Sequence, residues 1–220
     1  MMPTRLRTSV IAIVGIVLAG ALGVPAAQAL DEGRGDEAAI KACDLRLCSI
    51  LVNKTPSGDD LKCTLTKTWA RSSIKQAESS KLTWGYGDAR CSVDIDVSRA
   101  TLISAMTAEE IKVRLQPHTA NCLIEQDGKL EKVTAVLSPK IVFKSGKAEQ
   151  VWVNLKNVEG PATIQLTVQT AAYLADKLGL FHKRMLKSIN RYVERHCPQT
   201  VAEAAKVKEK PKAKSKAAAK

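Results

Sequence analysis

The sequence predicts an α+β domain in which a largely antiparallel β-sheet, supported by disulfides, is covered by an N-terminal helix and a long C-terminal helix. Three observations predict this fold. Apolar and polar residues alternate in several short runs, above all between residues 121 and 157, and period two is typical of strands with one buried face. Apolar residues recur every three or four positions near both ends of the chain, which indicates helices. Six cysteines are available to join these elements.

Residues 1–29 have the pattern of an export signal peptide. Arg5 and Arg7 precede an uncharged apolar run, and Ala27-Gln28-Ala29 fits the small-x-small cleavage pattern. The alternative is an uncleaved membrane anchor, but the run is short for a bilayer span of about 20 residues. We therefore expect cleavage after Ala29 and a periplasmic or secreted protein that begins at Leu30.

The first helix is predicted over residues 36–52, after a flexible leader at residues 30–36. Its apolar positions follow helical spacing: Ile40, Cys43, Leu47, Ile50 and Leu51. Within one straight helix, Cys43 and Cys48 point roughly 140° apart, at about 100° per residue. Each cysteine is therefore expected to pair with another element.

Two strands and two short helices are predicted next. Apolar and polar side chains alternate in residues 61–69 and 90–97, and the Thr-rich composition of the first run suits a strand. Residues 72–80 and 98–106 have short helical patterns. Residues 107–116 fit both a helix start and a strand, and the pattern alone does not choose between them.

Two tight turns organise the central stretch. Asp127-Gly128 and Ser145-Gly146 are hairpin signals, because glycine accepts the positive φ that a primed turn requires. The runs on either side alternate, as expected for antiparallel strands.

A long helix is predicted over residues 163–196, with Gly179 bending or dividing it. An apolar stripe marks one side of this helix: Leu174, Leu178, Phe181, Met185, Ile189 and Val193. Cys197 follows at its end, where a disulfide is expected to pin the helix to the sheet. The folded domain is thus assigned to residues 37–198.

Residues 199–220 are predicted to be a disordered basic tail, because they hold too few large apolar residues to offset the cost of ordering. The chain has a formal net charge of +12, and residues 206–220 carry +6 of it. The tail lysines form the predicted anion-binding segment: Lys206, Lys208, Lys210, Lys212, Lys214, Lys216 and Lys220. Expected partners are anionic envelope polymers or lipid head groups; export argues against nucleic acid.

The cysteines are predicted to form structural disulfides, since an even number in an exported chain is typical of an oxidised framework. They are Cys43, Cys48, Cys63, Cys91, Cys122 and Cys197. Six cysteines allow 15 complete pairings, and the sequence does not select one. No closely spaced ligand pair such as C-x-x-C occurs, so neither a metal nor a cofactor is predicted.

Candidate catalytic residues are few. Asp94 and Asp96 share one strand face about 7 Å apart along the strand, which is within the separation used by glycoside hydrolases. The solvated face of an amphipathic strand already explains both residues, and we favour that interpretation. Trp84 and Tyr86 lie in a glycine-rich turn, where they either stack on a ligand or anchor the loop to the core.

Several segments resemble exported alphaproteobacterial proteins of unknown function. They are Lys-Thr-Trp at residues 67–69, Gly-Asp-Ala-Arg-Cys at residues 87–91, the run at residues 139–148 and the terminal Cys197. The resemblance implies a periplasmic location and a cysteine-containing domain, and it implies no activity.

The sequence therefore favours a non-enzymatic periplasmic protein, with a binding or structural role, that associates with anionic envelope components through its basic tail. The alternative is an envelope hydrolase that uses Asp94 and Asp96.

Overall fold

The computed structural model describes residue 30, residues 34–76 and residues 83–217, with side chains as far as Val207. The predicted signal peptide lies outside the described residues. Six helices are present in the described part: α1 Arg34–Asn53, α2 Arg71–Gln76, α3 Arg99–Thr107, α4 Ala162–Leu178, α5 His182–Arg191 and α6 Cys197–Ala217. A π-helical turn, Tyr192–His196, joins α5 to α6.

Eight strands are described between α1 and α4. They are β1 Leu61–Trp69, β2 Ala89–Val97, β3 Glu110–Arg114, β4 His118–Gln126, β5 Lys129–Leu137, β6 Lys140–Lys144, β7 Lys147–Trp152 and β8 Leu155–Glu159. Every pairing is antiparallel, and the predicted α+β class is confirmed. The strands divide into two sheets, one in the order β1-β2-β4-β5-β8 and one in the order β3-β6-β7.

The two predicted hairpin turns are confirmed. Asp127 and Gly128 have φ of 50° and 74°, and Ser145 and Gly146 have φ of 48° and 78°. Positive φ at both central residues is the signature of a type I′ turn, whose twist matches that of the flanking strands. The first turn joins β4 to β5 in the larger sheet, and the second joins β6 to β7 in the smaller one.

The ambiguous segment at residues 107–116 contains strand β3, which pairs with β6. Its apolar side chains pack against α3 and α5 in a core cluster that includes Val113, Phe143 and Ala148. Tertiary packing thus determines the secondary structure of a segment whose local pattern fits both a helix and a strand.

Polar bonds join the two sheets where the chain passes from one to the other. The buried Ser138 hydroxyl donates to the Leu115 carbonyl at 2.7 Å, and its amide donates to the Asn154 carbonyl at 3.1 Å. The Asn154 side chain returns a bond to the Ser138 carbonyl at 2.8 Å. Because these polar groups are hydrogen-bonded to one another and not to water, the junction between the two sheets has a defined geometry.

Helix α1 begins at Arg34, inside the segment for which the sequence predicted a flexible leader. Asp36 in its first turn forms an ion pair with Arg90 of β2 at 2.5 Å, and acidic side chains are favourable at a helix N-terminus. The helix then packs on β1 and lies beside α3 and α6.

Three disulfides connect the elements, and no free cysteine is found in the described part of the chain. The pairs are Cys43–Cys63, Cys48–Cys197 and Cys91–Cys122. As predicted, Cys43 and Cys48 do not pair with each other. The expectation that Cys197 pins the C-terminal helix to the sheet is wrong, because Cys197 bonds Cys48 of α1 and joins two helices.

The disulfides fit a protein of an oxidising, extracytoplasmic type of compartment. Among the residues that the structure describes, no helix combines the length and the apolar character needed to cross a membrane.

Helix α6 extends from Cys197 to Ala217 and enters the segment for which the sequence predicted disorder. Its first turns are anchored by the Cys48–Cys197 disulfide and by Val201, which packs in the same cluster. Pro198 has no amide hydrogen to donate to an α-helical bond. The chain enters α6 through the π-helical turn, in which the Cys197 amide donates to the Tyr192 carbonyl five residues earlier.

Candidate functional site

A cationic groove lies at the junction of the two sheets and α4. It has a volume of about 590 Å³. Its principal polar and aromatic lining residues are Arg114, Lys140, Trp152, Asn154, Lys156, Tyr173, Asp176 and Lys177. Strand ends and one helix therefore place four cations and one carboxylate around a single depression.

One side of the groove is a row across the smaller sheet. Arg114 of β3 is the direct cross-strand neighbour of Lys140, and Lys140 is the neighbour of Trp152. Like charges directly opposite each other destabilise a strand pair. The Lys140 ammonium lies 3.6 Å from the centre of the Trp152 ring, in a cation–π contact that holds it at the groove edge.

The other side of the groove is formed by β8 and α4. Lys156 and Lys177 are exposed, and Tyr173 leaves 58% of its surface open to solvent. The Asp176 carboxylate accepts the amides of Val153 and Asn154, each at 2.7 Å. Its charge is therefore directed to the backbone, where it fixes the turn between β7 and β8, and Asn154 adopts a positive φ of 52° there.

The groove is electrostatically suited to an anion. Among the residues that the structure describes, none of its four cations forms an ion pair with a carboxylate. Exposed ammonium and guanidinium groups attract phosphate or carboxylate groups, and clustering them raises the local concentration of such ligands. Trp152 and Tyr173 add ring surfaces that can contact a sugar or another flat group.

A second, apolar cavity of about 790 Å³ adjoins the groove, and both are lined by Leu155 and Ala172. Its walls come from α2, α4 and α5, from the end of β5, from the β7–β8 turn and the start of β8, and from the loop before β2. The apolar lining residues are Ile74, Trp84, Leu137, Val153, Leu155, Val168, Ala171, Ala172, Ala175, Phe181, Met185 and Ile189. Arg184 also contacts this cavity, from the exposed side of α5.

The aromatic turn at Trp84 and Tyr86 packs on the core. The Trp84 indole donates to the Gly87 carbonyl at 2.8 Å, and the two rings meet edge to face at 5.0 Å. The Tyr86 hydroxyl lies 3.0 Å from the Thr167 hydroxyl on α4. Of the two interpretations of this turn, the structure supports the loop anchor, with Trp84 also forming part of the cavity wall.

Asp94 and Asp96 lie on the exposed face of β2. The Thr64 hydroxyl donates to Asp94 at 2.7 Å, and Lys62 lies 3.2 Å from Asp96. Neither carboxylate lines the groove or the apolar cavity. Of the predicted tail lysines, Lys206 is exposed on α6, and the side chains of the others lie outside the description.

A cluster of Asp44, Tyr192 and His196 lies between α1 and the π-helical turn. The Tyr192 hydroxyl donates to Asp44 at 2.6 Å, and His196 Nε2 lies 2.9 Å from the same carboxylate. Cys48 Sγ is close enough to complete a metal-ligand set, but this sulfur is bonded to Cys197 and is no thiolate. A zinc site requires more ligands than the remaining Asp44 and His196 supply, so the cluster is interpreted as a structural link.

Tyr192 leads to a prediction about alkaline pH. Its burial raises the pKa of the phenol, and the hydrogen bond to Asp44 and the charge of that carboxylate raise it further. The folded state therefore favours the neutral phenol, so its contribution to stability is complete below the ordinary tyrosine pKa of about 10 and is lost as pH rises above it. Between pH 8 and pH 11, urea unfolding should show a larger stability loss for the native chain than for Tyr192→Phe. Equal losses would contradict the assignment.

Comparison with known proteins found no matching family model, no matching curated protein and no matching solved structure.

The sequence did not single out the groove cations. These cations come from four different elements and share no motif: Arg114, Lys140, Lys156 and Lys177. Trp152 gave a signal, because alternation places this aromatic ring on the strand face opposite Val151 and Val153. A ring at this position was expected either to lie exposed or to be covered by a second layer, and the structure places it against Lys140.

Proposed function

We propose that the protein is a non-enzymatic, periplasmic binding protein that holds anionic envelope components in the groove between its two sheets and α4. The observation that carries this proposal is the set of four groove cations without a carboxylate partner among the described residues. The ligands are phosphate- or carboxylate-bearing polymers or lipid head groups.

The arrangement of the groove supports binding of a ligand with spaced charges. Arg114 and Lys140 lie side by side on one wall, and Lys156 and Lys177 come from the opposite elements. Two cations on one strand pair repel each other. An anion placed between them relieves that repulsion, so the proposed ligand should also stabilise the folded protein.

The basic tail adds positive charge outside the groove that also attracts anionic components. Residues 206–220 carry +6, and as far as Ala217 they continue helix α6, on which Lys206 and Val207 are exposed. Such charges increase the rate of encounter with an anionic surface, whereas the shaped groove supplies selectivity. Association through the tail, which the sequence predicts, is thus one of two contributions to the proposed binding of anionic components.

The hydrolase alternative gains no support from the placement of Asp94 and Asp96. Both carboxylates are exposed and engaged by β1, and neither lines the cationic groove or the apolar cavity. A general acid with a raised pKa normally needs a shielded environment.

Binding to polygalacturonate and to phosphatidylglycerol vesicles tests the proposal. The double change Lys156→Glu and Lys177→Glu should weaken binding by about tenfold, because each surface ion pair contributes up to about 1 kcal/mol. The matched control changes Lys112 and Lys187 to Glu, which alters the net charge equally at exposed lysines outside the groove. Equal weakening by both double variants would reject the groove as the binding site.

Removal of residues 206–220 separates the tail from the groove. We expect the melting temperature to stay nearly unchanged, since the side chains described there, Lys206 and Val207, are exposed. Binding at low salt should weaken but persist, and the remaining part should still depend on Lys156 and Lys177. Raising the salt should weaken both contributions, because charges are screened over about 8 Å at physiological ionic strength. Complete loss of binding on truncation would assign the association to the tail alone.

A further inference from the structure

The apolar cavity beside the groove has the dimensions and chemistry of a ligand site. Small-molecule sites usually have volumes of about 300–1,000 Å³ and consist of apolar walls with a few polar groups. At about 790 Å³ this cavity falls within that range.

The cavity lies where helices α4 and α5 leave part of the two sheets uncovered. Helix α4 lies on β8 and helix α5 lies on β7, and Gly179 in a left-handed conformation ends α4 between them. The apolar side chains of both helices then face a common space: Val168 and Ala171 from α4, and Phe181, Met185 and Ile189 from α5. Small side chains on α4 leave this space open.

Cationic groups lie at two places around the cavity. Arg184 lines it directly and has no ion-pair partner among the described residues. The groove cations lie across the wall formed by Leu155 and Ala172. An apolar space bordered by cations is complementary to a molecule with an apolar chain and an anionic head.

We infer that the cavity binds the acyl chain of a single-chain anionic amphiphile, whose head group lies against Arg184 and the cationic groove. This inference rests on the proposed anion-binding function and adds the class of ligand. The chain gains by leaving water for the apolar walls, and the head group keeps solvent and cationic partners.

A series of alkyl phosphates tests the inference on the full chain, with each compound below its critical micelle concentration. Octyl, decyl and dodecyl phosphate should bind one per chain, with affinity rising about fourfold for each methylene group that becomes buried. Dodecyl maltoside supplies the chain without the charge, and inorganic phosphate supplies the charge without the chain. Both should bind more weakly than dodecyl phosphate.

Two variants locate the chain and the head group. Ala171→Phe places a ring in the cavity and should reduce dodecyl phosphate affinity at least tenfold while leaving polygalacturonate binding unchanged. Arg184→Gln should reduce dodecyl phosphate affinity several-fold and leave dodecyl maltoside affinity unchanged. The control Lys183→Gln changes a neighbouring exposed lysine that lines neither cavity, and it should affect neither probe. The Arg184 variant keeps the test decisive if Ala171→Phe does not fold.

The outcomes separate the inference from the proposed function. Affinity that does not depend on chain length, together with retained polygalacturonate binding, would overturn the cavity assignment and leave the groove intact. Equal affinity for dodecyl phosphate and dodecyl maltoside would overturn the anionic amphiphile and the role of Arg184. A dimer that forms without amphiphile and dissociates in Ala171→Phe would show that a second copy fills the cavity, and would also overturn the inference.

Discussion

Removing the disulfide between Cys48 and Cys197 is expected to destabilise the protein more than removing either other disulfide. This bond closes a loop of 149 residues, and constraining a long loop lowers the entropy of the unfolded chain most. The chain-entropy relation gives about 5 kcal/mol for this loop, which is a large part of the stability of an ordinary domain. At about 2–4 °C per kcal/mol, the variant with Cys48→Ala and Cys197→Ala should melt roughly 10–20 °C lower.

The other two disulfides serve as matched controls. Their sequence separations are 31 residues for Cys91–Cys122 and 20 residues for Cys43–Cys63. The same relation gives about 3.7 and about 3.3 kcal/mol. Urea unfolding of the three double-alanine variants should therefore rank them by loop length. A variant lacking Cys43–Cys63 that is less stable than the one lacking Cys48–Cys197 would contradict this account of how the ends are held.

Asp176→Ala should have the second large effect, because it removes the acceptor for two backbone amides at once. Val153 and Asn154 each donate to this carboxylate at 2.7 Å, at a half-buried position. Hydrogen bonds to charged groups contribute about 1.5–3 kcal/mol each, and part of this returns when water reaches the amides. We expect a loss of about 2–4 kcal/mol and faster hydrogen exchange at both amides.

Glu149→Ala is the control for that loss of charge. Glu149 is exposed on the neighbouring strand β7, and a surface change of this kind usually alters stability by less than about 0.5 kcal/mol. Asp176→Asn should fall between the two, since its amide oxygen can accept but its nitrogen cannot. Similar stability for Asp176→Ala and Glu149→Ala would show that the β7–β8 turn does not depend on the carboxylate.

Local patterns predicted much of the fold. Strand β1 matches its predicted bounds, and both type I′ turns follow from dipeptides whose glycine accepts positive φ. Gly179 divides the C-terminal helix as expected. The division into two sheets was not predicted, because it depends on bonds of Ser138 and Asn154 to residues distant in the sequence. The pairing of Cys48 with Cys197 is non-local for the same reason.

Much less of the candidate site could be predicted from the sequence. The apolar stripe at Phe181, Met185 and Ile189 predicted a helix face but not the cavity that this face lines. Periodicity reports which side of a helix avoids water, and it carries no information on how closely another element approaches that side. The groove likewise depends on strand register, which brings Arg114 opposite Lys140.

The most direct test of the proposed function is an NMR titration of the tryptophan indoles in the chain lacking residues 206–220, with polygalacturonate as the anion. Trp152 lies in the groove, Trp84 lines the apolar cavity, and Trp69 lines neither and is 39% exposed. We predict a saturable shift of the Trp152 indole resonance that salt reverses, with the Trp69 resonance unchanged. An unshifted Trp152 resonance under conditions where the full chain binds polygalacturonate would contradict the assignment of the groove.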